Sequence, residues 1–172
     1  MQNHMENTTG TLFGSLWKDL SSGQFKQSVE LFTKRALANN FDLEWLKDKT
    51  CLDAGCGSGR YSVALALHGA KKITAVDVSS SGLETAKDNA RDFKQITFEQ
   101  ASVLDLPFPD ESFDLVWCAG VLHHTNDFDK GLAELTRVLK SNGKLFLFLG
   151  YKILKILDLI LSHPEPQFTA SP

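Results

Sequence analysis

From residue 50 onward, short runs of apolar and β-branched residues alternate with longer stretches whose apolar residues recur at helical spacing. The short runs are bounded by turn-forming residues and predict five strands, at residues 50–54, 73–78, 96–101, 113–118 and 144–149. Strands and helices that alternate at this spacing are typical of βαβ units. We therefore expect an α/β fold, a three-layer sandwich with a mostly parallel sheet and helices on both of its faces.

Three stretches between these strands predict connecting helices. Residues 61–68 are apolar on most faces, which indicates a buried helix. The second stretch has serines 79–81 as candidate N-caps and an apolar stripe at Leu83, Ala86, Ala90 and Phe93. The third helix is predicted to begin after Asn126 or Asp127 and to end at the Asn142-Gly143 pair, with an apolar stripe at Phe128, Leu132, Leu135 and Leu139. Residues 104–112 contain two prolines and predict a surface loop.

The residues on either side of this core predict helices and a tail. Apolar residues at i, i+4 and i+7 make residues 1–48 an N-terminal helical extension or lid. Its aromatic residues either cover a ligand site or anchor the extension to the core, and we favour the anchor for Phe13, Trp17 and Phe25. The core domain spans residues 49–161 and ends in a helix over 151–161, while the proline-containing residues 162–172 predict a disordered tail.

Composition and charge remove several classes of protein. The 172 residues are 42% hydrophobic, and the net charge of −3 gives no electrostatic reason to bind nucleic acid or an anionic membrane. The apolar run at 145–161 contains three charged residues and is shorter than the ~20 residues that a membrane span needs. The first ten residues lack the apolar segment of a signal peptide. Three cysteines without a C-x-x-C pattern favour the cytoplasm over a disulfide framework: Cys51, Cys56 and Cys118.

A glycine-rich segment between the first strand and the first helix of the core carries the clearest chemical signal. Its glycines at 55, 57 and 59 allow tight turns and a close backbone approach to a ligand, at the strand end where open α/β sheets bind ligands. A dinucleotide-binding loop would have its third glycine at position 60, which is Arg60. Asp53 precedes the loop and suits a cationic ligand, or braces the loop through backbone N–H groups. The simplest alternative is a glycine-rich turn without a ligand.

A second acidic residue, Asp77, ends the second strand, 18 residues after Gly59. An acid near this distance accepts hydrogen bonds from ribose hydroxyls in nucleotide-binding α/β folds. The alternative is a carboxylate that caps the following helix. Because two acidic residues at the ends of neighbouring strands flank the loop, we favour the ligand interpretation for the pair.

Several motifs in order along the chain strongly resemble those of class I S-adenosylmethionine-dependent methyltransferases. They extend over about residues 50–149 and read LDAGCGSG, VDVS, DLPFPDESFDLV, GVLHH and LTRVLKSNGK, starting at residues 52, 76, 105, 120 and 135. The pattern is similar to the small-molecule branch that includes quinone-biosynthesis methyltransferases. The resemblance implies a Rossmann-like sheet of order 3-2-1-4-5, S-adenosyl-L-methionine as cofactor and a small-molecule methyl acceptor.

The resemblance also implies roles for individual residues. The methionine part of the cofactor would meet the loop and backbone groups at the end of the fourth strand, at Gly55, Cys56, Gly57, Gly59, Cys118 and Ala119. Asp53 would support the loop and meet the cofactor's ammonium group through water or the backbone, while Asp77 would hold the ribose hydroxyls. Val78 would lie against adenine, and Ser102 with the backbone N–H of Val103 would meet its amino group. Family members usually have an acid in place of Ser102, and a hydroxyl should hold an amino group less firmly.

His123 and His124 follow the fourth strand, where methyl group and acceptor are expected to meet. An imidazole there can accept the proton of a hydroxyl or enol that is being methylated, although the two residues could equally just open a helix. Adjacent side chains of a helix point apart, so we expect at most one of them to serve and no metal site. The segment 117–120, Trp-Cys-Ala-Gly, lacks the Asn- or Asp-Pro-Pro-aromatic motif of related nucleic-acid methyltransferases, which argues against a nucleobase substrate.

Only 23 residues follow the fifth predicted strand, whereas the complete fold of this family resembles a seven-stranded sheet. The sequence therefore predicts a domain that is incomplete at its C-terminus, with an exposed edge at residues 145–149. A second copy of the chain, another partner or the final helix would cover that edge. Two alternatives to an active methyltransferase remain. One is an inactive cofactor-binding domain that acts through a partner, and the other is an NAD-dependent oxidoreductase, disfavoured by Arg60 and Asp53.

Overall fold

In the computed structural model, which describes residues 21–149 and 152–153, helices and strands alternate except where two strands follow one another, at residues 96–119 and after residue 139. The helices are α1 (Ser22–Ala38), α2 (Arg60–Leu67), α3 (Ser80–Asn89) and α4 (Phe128–Arg137), with 3₁₀ helices at Leu43–Leu46 and Leu122–His124. The strands are β1 (Thr50–Ala54), β2 (Lys72–Asp77), β3 (Ile96–Gln100), β4 (Phe113–Ala119), β5 (Leu139–Leu149) and β6 (Lys152–Ile153). Within the described residues the sheet has the order β3-β2-β1-β4-β5-β6, and β1 to β5 pair in parallel. The predicted order of five strands is confirmed.

The sheet has an apolar core on each face, because successive side chains of a strand point to opposite sides. In β1, Cys51 packs into a cluster with residues of α1, α2 and α3, while Leu52 packs into a second cluster with residues of α4. Helix α2 is buried from Tyr61 to Ala66, which confirms the prediction of a helix that is apolar on most faces. The three-layer arrangement with helices on both faces is thereby confirmed.

An aromatic cluster holds α1 against the sheet. The rings of Trp117 in β4 and Phe146 in β5 stack with their centroids 3.6 Å apart, and the ring of Phe32 in α1 lies 4.4 Å from that of Trp117. Phe25 packs against the same core, as the anchoring interpretation predicts. The other two aromatic residues of that prediction, Phe13 and Trp17, lie outside the described residues.

Two helix starts agree with the predicted caps, and one helix end does not. Ser79 and Asp127 accept hydrogen bonds from the backbone N–H groups of the first turns of α3 and α4, at 3.1 and 3.0 Å. Helix α4 ends at Arg137, so the prediction that it continues to residues 142–143 is wrong. The reason is that Leu139, the last residue of the predicted helical stripe, is buried as the first residue of β5 instead.

Strand β5 is irregular near its start. Leu139 pairs with Phe113, but regular pairing resumes only at Lys144, so residues 140–143 bulge out of the ladder. A Cβ atom at Gly143 would lie 2.7 Å from the side chain of Leu139, so the bulge requires a residue without a side chain there. The Asn-Gly signal therefore marks a bulge within a strand and not the end of a helix.

The chain turns back after β5. Lys152 and Ile153 form β6 and pair antiparallel with Leu149 and Phe148, so the prediction of a helix over 151–161 is wrong at these two residues. The return satisfies backbone groups that an unpaired edge would leave without partners, and this chain itself covers the end of the β5 edge. The rest of that segment, residues 1–20 and the predicted tail lie outside the described residues. In the part of the chain that the structure describes, no helix is long and apolar enough to cross a membrane.

Candidate functional site

The glycine loop between β1 and α2 lies at the carboxyl ends of the parallel strands. Its glycines all have positive φ angles, 81° at Gly55, 52° at Gly57 and 80° at Gly59, which other residues rarely adopt. The backbone N–H groups of Gly55 and Cys56 donate to the carbonyl oxygen of Val76 in β2, at 2.8 and 2.9 Å. The loop is therefore fixed across the ends of two neighbouring strands, at the place where ligands bind in this class of fold.

Two of these glycines also permit close packing. A Cβ atom on Gly55 would overlap the side chain of Val121, in the segment after β4. A Cβ atom on Gly59 would lie 3.0 Å from the Cβ of Ala86 in α3. Packing and backbone angle thus both require glycine at positions 55 and 59, so the glycine content alone does not identify a ligand.

Asp77 joins the glycine loop to the start of α3. Its Oδ2 accepts a hydrogen bond from the backbone N–H of Gly57 at 2.8 Å, and its Oδ1 accepts one from Ser79 at 2.9 Å. Burial raises the pKa of this carboxyl group above its ordinary value, and the backbone hydrogen bonds act in the opposite direction. The N-cap of α3 is Ser79 itself, so Asp77 only assists the cap. A carboxylate oxygen that accepts one hydrogen bond keeps a lone pair for a ligand hydroxyl.

Asp53 lies at the end of β1 and is only 1% exposed. Its Oδ2 accepts a hydrogen bond from the hydroxyl of Ser62 in α2 at 2.6 Å, so it ties the strand to the helix that follows the loop. Burial raises the pKa of Asp53 to about 7, and the hydrogen bond from Ser62 and the charge of Arg60 act against that rise. A nearby cation would favour the ionised form of such a buried group. Asp53 therefore fits a ligand with an ammonium group.

The segment after β3 turns sharply next to β2. The backbone N–H of Ala101 donates to the carbonyl oxygen of Asp77 at 3.2 Å, and the hydroxyl of Ser102 accepts a hydrogen bond from the backbone N–H of Leu104 at 3.0 Å. The side chain of Val103 is 4% exposed and lies in the core beneath α4. Of Val103, only the backbone is therefore available to a ligand.

The cysteines near the site point into the protein interior. Cys56 lies in the core beneath α1 and α2, and Cys118 lies in the core beneath α4. Burial raises the pKa of both thiols, so they stay neutral and are poor nucleophiles. This supports small-residue packing as their role and leaves only their backbone groups for contact with a ligand. Ala119, the last residue of β4, is half-buried.

His123 and His124 lie in the 3₁₀ helix after β4, and their ring centroids are 3.9 Å apart. The expectation that the two side chains point apart is therefore wrong, because the segment is a single 3₁₀ turn and not a regular α-helix. Burial and the neighbouring His124 both lower the pKa of His123, which favours its neutral, proton-accepting form. Among residues 21–149 and 152–153, no group of three or more His, Cys, Asp or Glu side chains could hold a metal ion.

Sequence reasoning missed a cationic cluster next to the loop. Arg35 in α1 donates a hydrogen bond to the hydroxyl of Tyr61, and its guanidinium carbon lies 4.4 Å from the ring centroid of Phe148. The guanidinium carbon of Arg60 lies 4.7 Å from the ring centroid of Tyr61. Two positive charges thus flank the first turn of α2, directly after Gly59. Arg60 adjoins the glycine motif and signalled this in part, whereas nothing in the pattern of α1 distinguished Arg35.

Comparison with known proteins identifies similar chains. The model of the methyltransferase domain family matches residues 52–147. The 2-phytyl-1,4-naphtoquinone methyltransferase of Nostoc sp. is 42% identical over 100 residues, which are 55% of this chain and 44% of the relative. The 27-O-demethylrifamycin SV methyltransferase of Amycolatopsis mediterranei is 35% identical over 99 residues, 56% of this chain and 36% of the relative.

A solved structure agrees with these matches. The YcgJ protein from Bacillus subtilis superposes with a TM-score of 0.59 at 29% sequence identity, over 70% of this chain and 49% of that chain. Across these comparisons the chain spans about half or less of the length of the proteins that it matches.

Proposed function

The chain belongs to the methyltransferase domain family, and we propose that it binds S-adenosylmethionine and transfers the methyl group to a small-molecule acceptor. The observation that carries this proposal is a glycine loop flanked by two carboxyl groups, Asp53 at the end of β1 and Asp77 at the end of β2. The pyrophosphate of a dinucleotide gains nothing from a buried carboxyl group, whereas a ligand with ammonium and sulfonium groups does. The position after the loop also has Arg60 where a dinucleotide-binding motif has glycine.

The residues around the loop would hold separate parts of the cofactor. Asp77 offers lone pairs to the ribose hydroxyls, with Val78 next to the adenine ring. The hydroxyl of Ser102 and the backbone of Val103 would meet the adenine amino group. The methionine part would lie along the loop and the end of β4, against Gly55, Cys56, Gly57, Gly59, Cys118 and Ala119.

Charges of both signs near the loop suit the amino-acid end of this cofactor. The carboxyl group of Asp53 would favour the cofactor's ammonium group and would be ionised by it. Arg35 and Arg60 flank Tyr61 at the first turn of α2 and supply guanidinium groups for the cofactor's carboxylate.

The protein's part in methyl transfer would be to align the acceptor, exclude water and accept a proton. Bound S-adenosylmethionine would supply an electrophilic methyl group for in-line displacement. His123 is the first candidate for the base, because it is exposed and its lowered pKa keeps the imidazole neutral at physiological pH. His124 lies against its ring and is the second candidate.

Three observations support a small molecule as acceptor and the cytoplasm as location. The net charge of −3 does not favour a nucleic acid. Two relatives are named as methyltransferases of a naphthoquinone and of a demethylrifamycin. The three cysteines are free and buried, which suits a reducing compartment. Assembly with a second copy or another partner along the remainder of the β5 edge stays a prediction.

Calorimetric titration with S-adenosylhomocysteine and with NAD tests cofactor binding. We expect S-adenosylhomocysteine to bind and NAD not to bind, and the reverse result would refute the proposal. Asp77→Asn should weaken S-adenosylhomocysteine by about tenfold or more, since it removes a charge-assisted hydrogen-bond acceptor for the ribose. Methyl transfer from S-adenosylmethionine to a panel of phenols, quinols and amines then tests the activity, with Asp77→Asn as control. Binding without transfer above that control would assign the chain to cofactor binding alone.

A further inference from the structure

The loop after β3 is fastened to the end of α4 by one guanidinium group. Arg137 donates a bidentate pair of hydrogen bonds to the carboxylate of Glu134, at 2.8 and 2.9 Å. It also donates to the carbonyl oxygens of Leu106 and Phe108 at 3.0 and 2.8 Å, and to the carboxylate of Asp110 at 2.8 Å. These five hydrogen bonds use the full donor capacity of a guanidinium group.

Glu134 completes this attachment from the other side. Its Oε2 accepts a hydrogen bond from the backbone N–H of Leu106 at 2.8 Å, so the backbone of Leu106 is held at both its N–H and its carbonyl group. The hydrogen bond from Arg137 keeps the pKa of Glu134 below its ordinary value, which leaves the acceptor ionised. A lysine at position 137 would keep the charge but could not make the planar, forked set of bonds.

Close packing links the position of this loop to that of residues 102–103 near the site. A Cβ atom on Gly131 of α4 would lie 2.6 Å from the side chain of Leu122 and 3.2 Å from that of Leu104. Leu104 follows Val103, whose side chain lies in the same core as that of Leu122. A shift of the loop relative to α4 would therefore displace the backbone of Val103.

We propose that Arg137, together with Glu134, is a positioning residue that sets how residues 102–103 meet the adenine of the cofactor. The inference rests on the proposed function, since it assumes that adenine lies against this segment. Ion pairs near the surface contribute little to stability, so we assign the importance of Arg137 to its hydrogen bonds with the backbone of Leu106 and Phe108, which fix the position of the loop. Neither Arg137 nor Glu134 is placed in contact with the ligand.

The test compares Arg137→Lys and Glu134→Gln with a matched control. Lys140→Met removes another ion pair, between Lys140 and Asp114 at 2.8 Å, near the amino-terminal end of β4 and away from the glycine loop. Dissociation constants are measured for S-adenosylhomocysteine and for S-inosylhomocysteine, in which a carbonyl replaces the adenine amino group. Circular dichroism fixes a temperature at which every variant is folded.

We expect Arg137→Lys to weaken S-adenosylhomocysteine by about tenfold, the size of one lost hydrogen bond, and Lys140→Met to leave it unchanged. The preference for the adenine ligand over the inosine ligand should fall in Arg137→Lys and Glu134→Gln, because that preference depends on where residues 102–103 lie. A purely structural role would lower thermal stability without changing this ratio.

Three results would overturn the proposal. One is an unchanged adenine-to-inosine ratio in both variants, and another is an equal loss of affinity in Arg137→Lys and Lys140→Met. The third is failure of both Arg137→Lys and Glu134→Gln to fold, which would assign the cluster to stability. If the unsubstituted chain binds neither ligand, the proposed function is refuted, and this inference is refuted with it. If the unsubstituted chain binds normally and both variants keep its adenine-to-inosine ratio, only the inference is refuted.

Discussion

Replacement of Asp53 by Asn separates the cost of burying this carboxyl group from its use in binding. Asn has nearly the same shape as Asp, and its side-chain oxygen can accept the hydrogen bond that the Ser62 hydroxyl donates at 2.6 Å. The amide, however, carries no charge at any pH. We therefore expect Asp53→Asn to stabilise the ligand-free protein at neutral pH and to weaken the binding of a ligand that carries an ammonium group.

The expected gain in stability follows from the difference in pKa between the folded and unfolded chain. Folded Asp53 has a pKa of about 7 against an ordinary value of 3.8, so the folded state binds the proton more tightly. The stability that this tighter proton binding contributes is fully present below pH 3.8 and is lost as the pH rises through about 7. The loss reaches about 2 kcal/mol at pH 5 and about 4 kcal/mol at pH 8. Asp53→Asn does not titrate and should exceed the parent's stability by these amounts.

Urea unfolding of parent and variant at pH 5 and pH 8 measures this difference. Asp114→Asn is the matched control, because Asp114 is also a strand carboxyl group but has a pKa below its ordinary value. Burial would raise that pKa, and the hydrogen bonds from Lys140 and from the backbone N–H of Thr50 outweigh it. Asp114 is thus ionised at both pH values, so the effect of its replacement should be a loss of similar size at each.

Two outcomes would refute the reasoning about Asp53. The first is a difference in unfolding free energy between Asp53→Asn and the parent that is the same at pH 5 and pH 8. The second is an Asp53→Asn variant that binds S-adenosylhomocysteine as tightly as the parent at pH 8, where we expect a loss of about tenfold. Agreement with both expectations would show that the site gains binding at the expense of stability.

Three further substitutions test neighbouring contacts. Ser62→Ala removes a hydrogen bond that lowers the pKa of Asp53. The affinity for S-adenosylhomocysteine, titrated from pH 6 to 9, should therefore change at a higher pH in the variant than in the parent. An unchanged midpoint would contradict this. Gly55→Ala should reduce the unfolding free energy in urea by about 2–4 kcal/mol, from its positive φ and the overlap with Val121. The cost should fall in a Val121→Ala background, and equal costs in both backgrounds would exclude the overlap as a cause. His123→Asn should lower kcat/KM for an active acceptor by about a hundredfold and remove the limb of the pH profile that reports its titration, whereas a full rate would assign His123 to structure.

The alternation of strands and helices was predictable because each element buries a face with its own period. The strand pattern of β1 to β4 and the caps at Ser79 and Asp127 depend on neighbours within a few residues, which the sequence displays directly. The end of α4 depends instead on the pairing of Leu139 with Phe113 in β4, 26 residues earlier in the chain. The start of β6 depends on a reversal of the chain after β5 and on antiparallel pairing with its last residues. An apolar residue such as Leu139 satisfies a helical stripe and a strand equally well, so its period alone could not decide between them.

The candidate site was predictable in its position and less so in its interactions. The glycine spacing and the two acids located the loop. Ser62 as the partner of Asp53 depends on how α2 packs on β1, and the close approach of the two histidine rings depends on the 3₁₀ turn. The bonds of Arg137 were not predictable, since its loop partners lie some 30 residues earlier in the chain. Long side chains reach such partners only after the sheet has brought α4 and the loop together.

The central place of β1 has a consequence for the order in which the chain folds. Its pairing with β2 joins Thr50 to Lys72, whereas its pairing with β4 joins Cys51 to Leu115, across a much longer loop. Closing the longer loop costs more chain entropy, so we expect the β1–β2 unit to form before β4 docks. Because Gly55 packs against Val121, which follows β4, the glycine loop reaches its final shape only after this late step. A ligand of the loop would therefore stabilise only chains in which β4 has already docked. It should slow unfolding without hastening the first phase of refolding.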